Sequence, residues 1–126
     1  MEEDRIISDD GENTIGRNIR RLRKTQKIRQ TEMVARLQVY HIRITREAFV
    51  KIERGQQHIK LSQLRGIRRA LGVSYEDILD QPREETMREA EKRGRETELR
   101  REEIRKKKRR SRRMAAAGKK EDPGPQ

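Results

Sequence analysis

Cysteine and tryptophan are missing from this 126-residue chain, and aromatic residues make up only 2% of it. Without cysteine there is neither a disulfide nor a thiolate metal site. That usage is compatible with a reducing compartment. One phenylalanine and two tyrosines leave no aromatic platforms on which unpaired bases could stack, so recognition of single-stranded RNA ranks low. Apolar residues are scarce too, at 29%, and no run approaches the roughly 18 residues of a membrane span. No signal-peptide profile opens the chain. The two histidines, His41 and His58, stand far apart and match neither a metal-ligand nor a triad spacing. No glycine loop of the phosphate-cradling kind occurs. Catalysis, a cofactor and a bound metal are therefore not expected.

Charge is what the chain has in quantity. Charged residues make up 44% of it, for a net +12, and they are unevenly spread. Residues 1–13 carry one basic and six acidic side chains, a balance of −5. Residues 14–80 carry 16 basic against 6 acidic, +10, and residues 81–126 carry 17 against 10, +7. A compact region at +10 suits a polyanion, because each phosphate it neutralises releases condensed counterions. Solubility is the plainer use of such a surface.

Four segments follow from this pattern. Residues 1–13 read as an acidic flexible arm, with Asp9-Asp10-Gly11 as a turn signal. Residues 14–80 hold nearly all the patterned apolar residues and form the one domain. Its first helix starts at a cap on Asn13 or Thr14 and turns Ile15, Ile19 and Leu22 inward. A second helix, 30–37, buries Met33, Val34 and Leu37. Residues 38–44 make a packed turn containing Val39, Ile42 and Ile44. A fourth helix, about 61–71, carries Leu64, Ile67, Ala70 and Leu71 and stops at Gly72. A capping box of Ser74 and Asp77 opens a fifth, whose Ile78 and Leu79 close the core, and Pro82 marks the boundary.

Between the turn and the fourth helix lies the stretch around which the domain is organised. In Thr45-Arg46-Glu47-Ala48-Phe49-Val50-Lys51-Ile52-Glu53-Arg54-Gly55, Thr45 can cap a helix and Gly55 can close it. Ala48, Phe49 and Ile52 share one face, while Arg46, Glu47, Val50 and Lys51 lie on the other. The plain alternative for Arg46, Glu47 and Lys51 is an ordinary exposed helix face.

Residues 81–113 read as a charged, solvated helix held by acid-then-base pairs four apart, each adding roughly 0.2–0.5 kcal/mol. Its few apolar residues keep no heptad register, so no coiled coil is expected. It ends in a basic cluster of Arg105, Lys106, Lys107, Lys108, Arg109, Arg110, Arg112 and Arg113. That cluster is either a solvated tail or a sequence-blind phosphate binder. Residues 114–126 read as a disordered tail.

The punctuation of residues 14–80 resembles the lambda-repressor-like helix-turn-helix domains of the Cro/cI, or XRE, family. The likeness is carried by Ile19-Arg20-Arg21-Leu22-Arg23, Gln30-x-Glu32-Met33 and Thr45-Arg46 with Lys51-Ile52-Glu53-Arg54-Gly55. Leu64-x-x-Ile67-x-x-Ala70-Leu71-Gly72-Val73-Ser74 and Ile78-Leu79 complete it. The resemblance implies an all-α, five-helix DNA-binding domain. Thr45, Arg46, Glu47 and Lys51 would then face bases in the major groove, where Arg can fork onto guanine and Glu can accept from cytosine. Gln30, Arg54, Gln56, Gln57 and Lys60 would grip backbone phosphates, with Gln30 at the groove edge. Arg23 and Glu53 match a pair that bridges the first and third helices. The partner implied is double-stranded DNA, bound by a homodimer with recognition helices about 34 Å apart.

Three departures stand out. The turn between the second and third helices is longer than usual, Val34 and Arg68 replace small alanines, and Lys27 replaces a glycine. The function so implied is a sequence-specific transcriptional regulator, expected to repress. Its location would be the cytoplasm of a bacterial or phage system, and the nucleus only in a eukaryotic one. The rival is an antitoxin-like or partner-controlled module that binds another protein, with the C-terminal segment ordering on that partner.

Overall fold

The computed structural model describes residues 4–7 and 11–121, with side chains through Gly118. Its elements are β1 (Ile6–Ile7), α1 (Thr14–Thr25), α2 (Gln30–Val39), α3 (Arg46–Glu53), β2 (Ile59–Lys60), α4 (Leu61–Leu71), α5 (Tyr75–Leu79) and α6 (Glu84–Glu121). The described chain is thus mainly helical, with one antiparallel pair of two-residue strands. Ile15, Ile19 and Leu22 of α1 meet Met33 and Leu37 of α2, Phe49 and Ile52 of α3, and Leu64, Ile67 and Leu71 of α4 in one core. Ile28, Ile44, Ile59 and Val73 seal it from the connections, and Ile78 from α5. These spacings of three and four put each set on one helix face, which is why the helices assemble around them.

The connections show where local rules are overridden. Asn13 precedes α1 in the left-handed region, at φ 55, and its side chain caps nothing there; asparagine tolerates that conformation. Its amide crosses to α3 instead, so the expected side-chain cap at Asn13 is corrected. Lys27 also sits left-handed, at φ 61, while its N–H donates to the Lys24 carbonyl at 3.0 Å. α2 continues to Val39, two residues beyond the expected end, so the connection to α3 is residues 40–45. Val39 lies half a turn from Leu37 on the helix surface, and it is exposed rather than packed. Leu79 is exposed as well, because α5 turns Asp77 and Ile78 inward instead. Arg68 is half-buried. Its guanidinium lies 4.7 Å from the centre of the Tyr75 ring.

Two segments expected to be solvated are seated. In the arm, Ile6 pairs with Lys60 and Ile7 with Ile59. The Asp4 carboxylate accepts from the Ser62 N–H and hydroxyl at the start of α4. Those bonds hold the Asp4 carboxyl below its ordinary range. The arm reading for residues 1–3 and 8–10 lies outside the described residues.

The larger correction concerns α6. It is one continuous helix through residues 114–121, where a disordered tail is expected from sequence; residues 122–126 lie outside the described residues. Its first half lies on the body. Ala90 and Gly94 are buried and Met87 packs against the core. A β-carbon on Gly94 would come within 2.2 Å of the Thr25 carbonyl oxygen, so the two helix backbones nearly touch. Arg93 donates to the Leu71 carbonyl at 3.0 Å, and Arg101 pairs with Glu32 of α2.

Nor does the domain end before residue 81, as the punctuation suggests: Pro82 is buried. The buried Asp77 carboxylate spans the junction. It accepts from the Arg83 N–H at 2.9 Å, the Arg83 Nε at 3.2 Å, the Thr86 hydroxyl at 2.9 Å and the Ser74 hydroxyl at 2.8 Å. Burial alone would push this carboxyl up, but the bonds from Arg83, Ser74 and Thr86 outweigh it and hold it well below the usual range.

Helix propensity favours alanine over glycine by about 0.8–1.0 kcal/mol, whereas overpacking costs about 1–3 kcal/mol. Gly94→Ala is therefore expected to lower Tm and to speed amide exchange across residues 86–101. A raised Tm would show that α6 is not seated on α1.

Candidate nucleic-acid interface

The site is built on α3. Thr45 opens the helix from an extended backbone, its hydroxyl accepting from the Ala48 N–H at 3.0 Å. Gly55 ends it at φ 72, where any β-carbon would be strained. Phe49 and Ile52 are buried beneath, and Ala48 is half-buried. Arg46, Glu47 and Lys51 are exposed on the outer side. Glu47 and Lys51 lie 3.7 Å apart as a surface ion pair one turn long, worth only a few tenths of a kcal/mol. Both remain free to exchange partners.

What fixes α3 is underneath. The Glu53 carboxylate is buried and accepts a two-pronged bond from Arg23, Nε at 2.7 Å and Nη2 at 3.0 Å. The remaining Arg23 nitrogen, Nη1, donates to the Ile28 carbonyl at 2.8 Å. Gln30, at the first position of α2, donates to the same carboxylate at 3.2 Å. Asn13 donates to the Glu53 backbone carbonyl at 2.9 Å. A β-carbon on Gly16 would lie 2.6 Å from the carbonyl oxygens of both Ile52 and Glu53, so only glycine lets α1 pass that close to the end of α3. Three helices are thus referenced to one carboxylate.

The residues assigned to phosphates divide into separate places. Gln30 and Arg54 line one cleft of about 340 Å³, together with Arg20, Arg23, Lys24, Arg29, Val50 and Glu53. Arg20, Lys24, Arg29 and Arg54 are exposed around it. Gln30 is half-buried and committed to Glu53, so its amide nitrogen serves the framework first. Gln57 and His58 line a smaller hollow of about 170 Å³ with Asn13, Gly16 and Gly55. Gln56 and Lys60 are exposed but line neither hollow. The basic cluster at residues 105–113 is exposed along α6.

Several residues that shape this surface carry no sequence motif. Lys24 and Arg29 are legible in the sequence only as positive charge, since a cleft between three helices leaves no local signal. Gly16 and the cross-link from Asn13 depend on a contact some 40 positions away. Among the described residues, no group of three His, Asp or Glu side chains is placed to hold a metal ion, and no helix is long and apolar enough to cross a membrane.

No family model, curated protein or solved structure matches this chain.

Losing one partner of a buried ion pair costs about 3–5 kcal/mol, whereas exchanging both for apolar residues of similar size can be nearly neutral. Glu53→Ala is expected to fall in that range by denaturant unfolding, and Arg23→Met with Glu53→Met to cost markedly less. Equal losses in the single and double variants would show that the pair is not the element orienting α3.

Proposed function

We propose that the chain binds double-stranded DNA sequence-specifically as a transcriptional regulator, with the outer edge of α3 in the major groove. The observation that carries this reading is the pairing of an exposed, cationic α3 edge with a rigid buried support. Arg46, Glu47 and Lys51 are exposed, the last two joined only by a weak surface pair, while Glu53, on the same helix, is tied to α1 and α2. A reader of bases needs both properties, because groove hydrogen bonds demand a fixed helix angle. The lambda-repressor-like resemblance of residues 14–80 points the same way.

In this reading Arg46 and Lys51 donate to base acceptors, Glu47 accepts from an exocyclic amine, and Thr45 sits at the end of the helix nearest the groove floor. Arg54, with Arg20, Lys24 and Arg29 around the cleft, neutralises phosphates and sets the register without reading sequence. A homodimer on a near-palindrome would set two such edges about 34 Å apart. Repression follows most simply, since a bound dimer occludes its site. The rival, a partner-controlled protein-binding module, loses one support: the first half of α6 is already ordered against the body, so it need not await a partner to fold.

The test is selection of bound sites from random duplexes at stated salt. The wild-type chain should enrich one motif, and Arg46→Ala and Lys51→Ala should each relax it, at about 1–3 kcal/mol for each base pairing removed. Enrichment of no motif, or of the same motif by both variants, would overturn the reading.

A further inference from the structure

The second half of α6 is a large feature that the α3 site leaves unused. Beyond Arg101 every side chain described, through Gly118, is exposed. The face of α6 that meets the body runs along Ala90, Gly94, Thr97 and Arg101, steps of four, three and four that stay on one side of a helix. Ala90 and Gly94 are small enough to seat the helix, and Arg101 closes the contact on Glu32, in the first turn of α2. The same progression continues past the body as Arg105, Lys108 and Arg112. The stripe that is small where α6 touches protein becomes cationic where it leaves it.

Resting on the DNA-binding reading above, we propose that this stripe is a second phosphate-binding element. It is held at a set angle by the seated half of α6 and lies along the duplex backbone next to the stretch read by α3. The stripe leaves the body at the first turn of α2, and Gln30 and Arg29 at that same helix start line the cationic cleft. At 1.5 Å per residue, Arg105 to Arg112 reach from about 6 to about 16 Å beyond Arg101. That is the scale of a few successive phosphates on one strand. No apolar side chain lies in the stripe; Leu99 and Met114 fall on the far side and Ile104 at its edge. A protein partner would look for a buried apolar anchor there, and a lipid surface for an apolar face opposite the charges. Neither is offered. The charges facing away, Lys106, Arg110 and Arg113, belong to solvent.

Two charge-matched variants of the full chain separate an aimed helix from a loose polycation. Arg105→Gln, Lys108→Gln and Arg112→Gln together empty the stripe. Lys106→Gln, Arg110→Gln and Arg113→Gln together remove the same charge from the opposite side. All six residues are exposed, so neither triple disturbs the core. Binding is measured on the wild-type protein's selected duplex across a range of salt. The stripe triple should weaken binding at least tenfold and flatten the salt dependence of log K by about 3, near 0.9 for each phosphate no longer neutralised. The opposite triple should stay within about threefold of wild type, and both should keep the selected motif. Equal losses in the two triples, no loss in either, or a greater loss in the opposite triple would overturn the proposal. If the wild-type chain itself selects no motif, the underlying DNA reading fails instead, and the selection shows this before the triples are compared.

Discussion

The buried Glu53 carboxylate fixes how α3 sits against α1 and α2. Glu53 ends α3, and its side chain holds Arg23 of α1 and Gln30 of α2 while its backbone carbonyl takes Asn13. Taking two charges out of water is costly, and their attraction offsets that cost only when the remaining donors are also satisfied. Here they are, since the third Arg23 nitrogen finds the Ile28 carbonyl. Directional bonds of this kind fix an angle, which apolar packing alone does not. Phe49 and Ile52 hold α3 down, whereas Glu53 determines how it is turned. The exposure of Arg46, Glu47 and Lys51 follows from that orientation.

The second constraint is the seating of α6, and its chemistry is different. Small residues let two backbones meet at Gly94 and Thr25. The ends of the seated half are then pinned by charge, Asp77 holding Arg83 at the start and Glu32 holding Arg101 further on. Such a contact uses almost no large apolar side chain, which suits a chain with so few of them. It also turns a highly charged segment from a tail into a continuation of the body. The first turn of α6 carries Glu84 and Glu85, the charge that a helix N-terminus favours.

How much of this can be read in the sequence depends on the range of the signal. Periodicity and punctuation are local, so α1, α3 and α4 are legible from Ile19, Leu22, Phe49, Ile52, Leu64 and Ile67, with Thr45 and Gly72 at their ends. The Arg23–Glu53 pair comes from the family resemblance, not from spacing. The body-facing stripe of α6 is not legible, because Ala90 and Gly94 carry no apolar signal and Gly94 reads locally as a helix weakness. Pairing of Ile6–Ile7 with Ile59–Lys60 joins segments more than 50 positions apart, and two-residue strands have no period to detect. Val39 and Leu79 mislead for the opposite reason: each is apolar and stands close to an inward residue, yet a step or two around a helix is enough to reach solvent.

A helix edge held from below by Glu53 is what meets the duplex in this account. The most direct measurement is a titration of the isotopically labelled full chain with its selected duplex, followed by amide and side-chain chemical shifts. Perturbations are expected at residues 45–54, at residues 29–32 and along residues 105–112, with the exposed side of α5 unchanged. Perturbations confined to residues 105–113, with α3 unmoved, would contradict it and leave only a cationic helix held by phosphate charge.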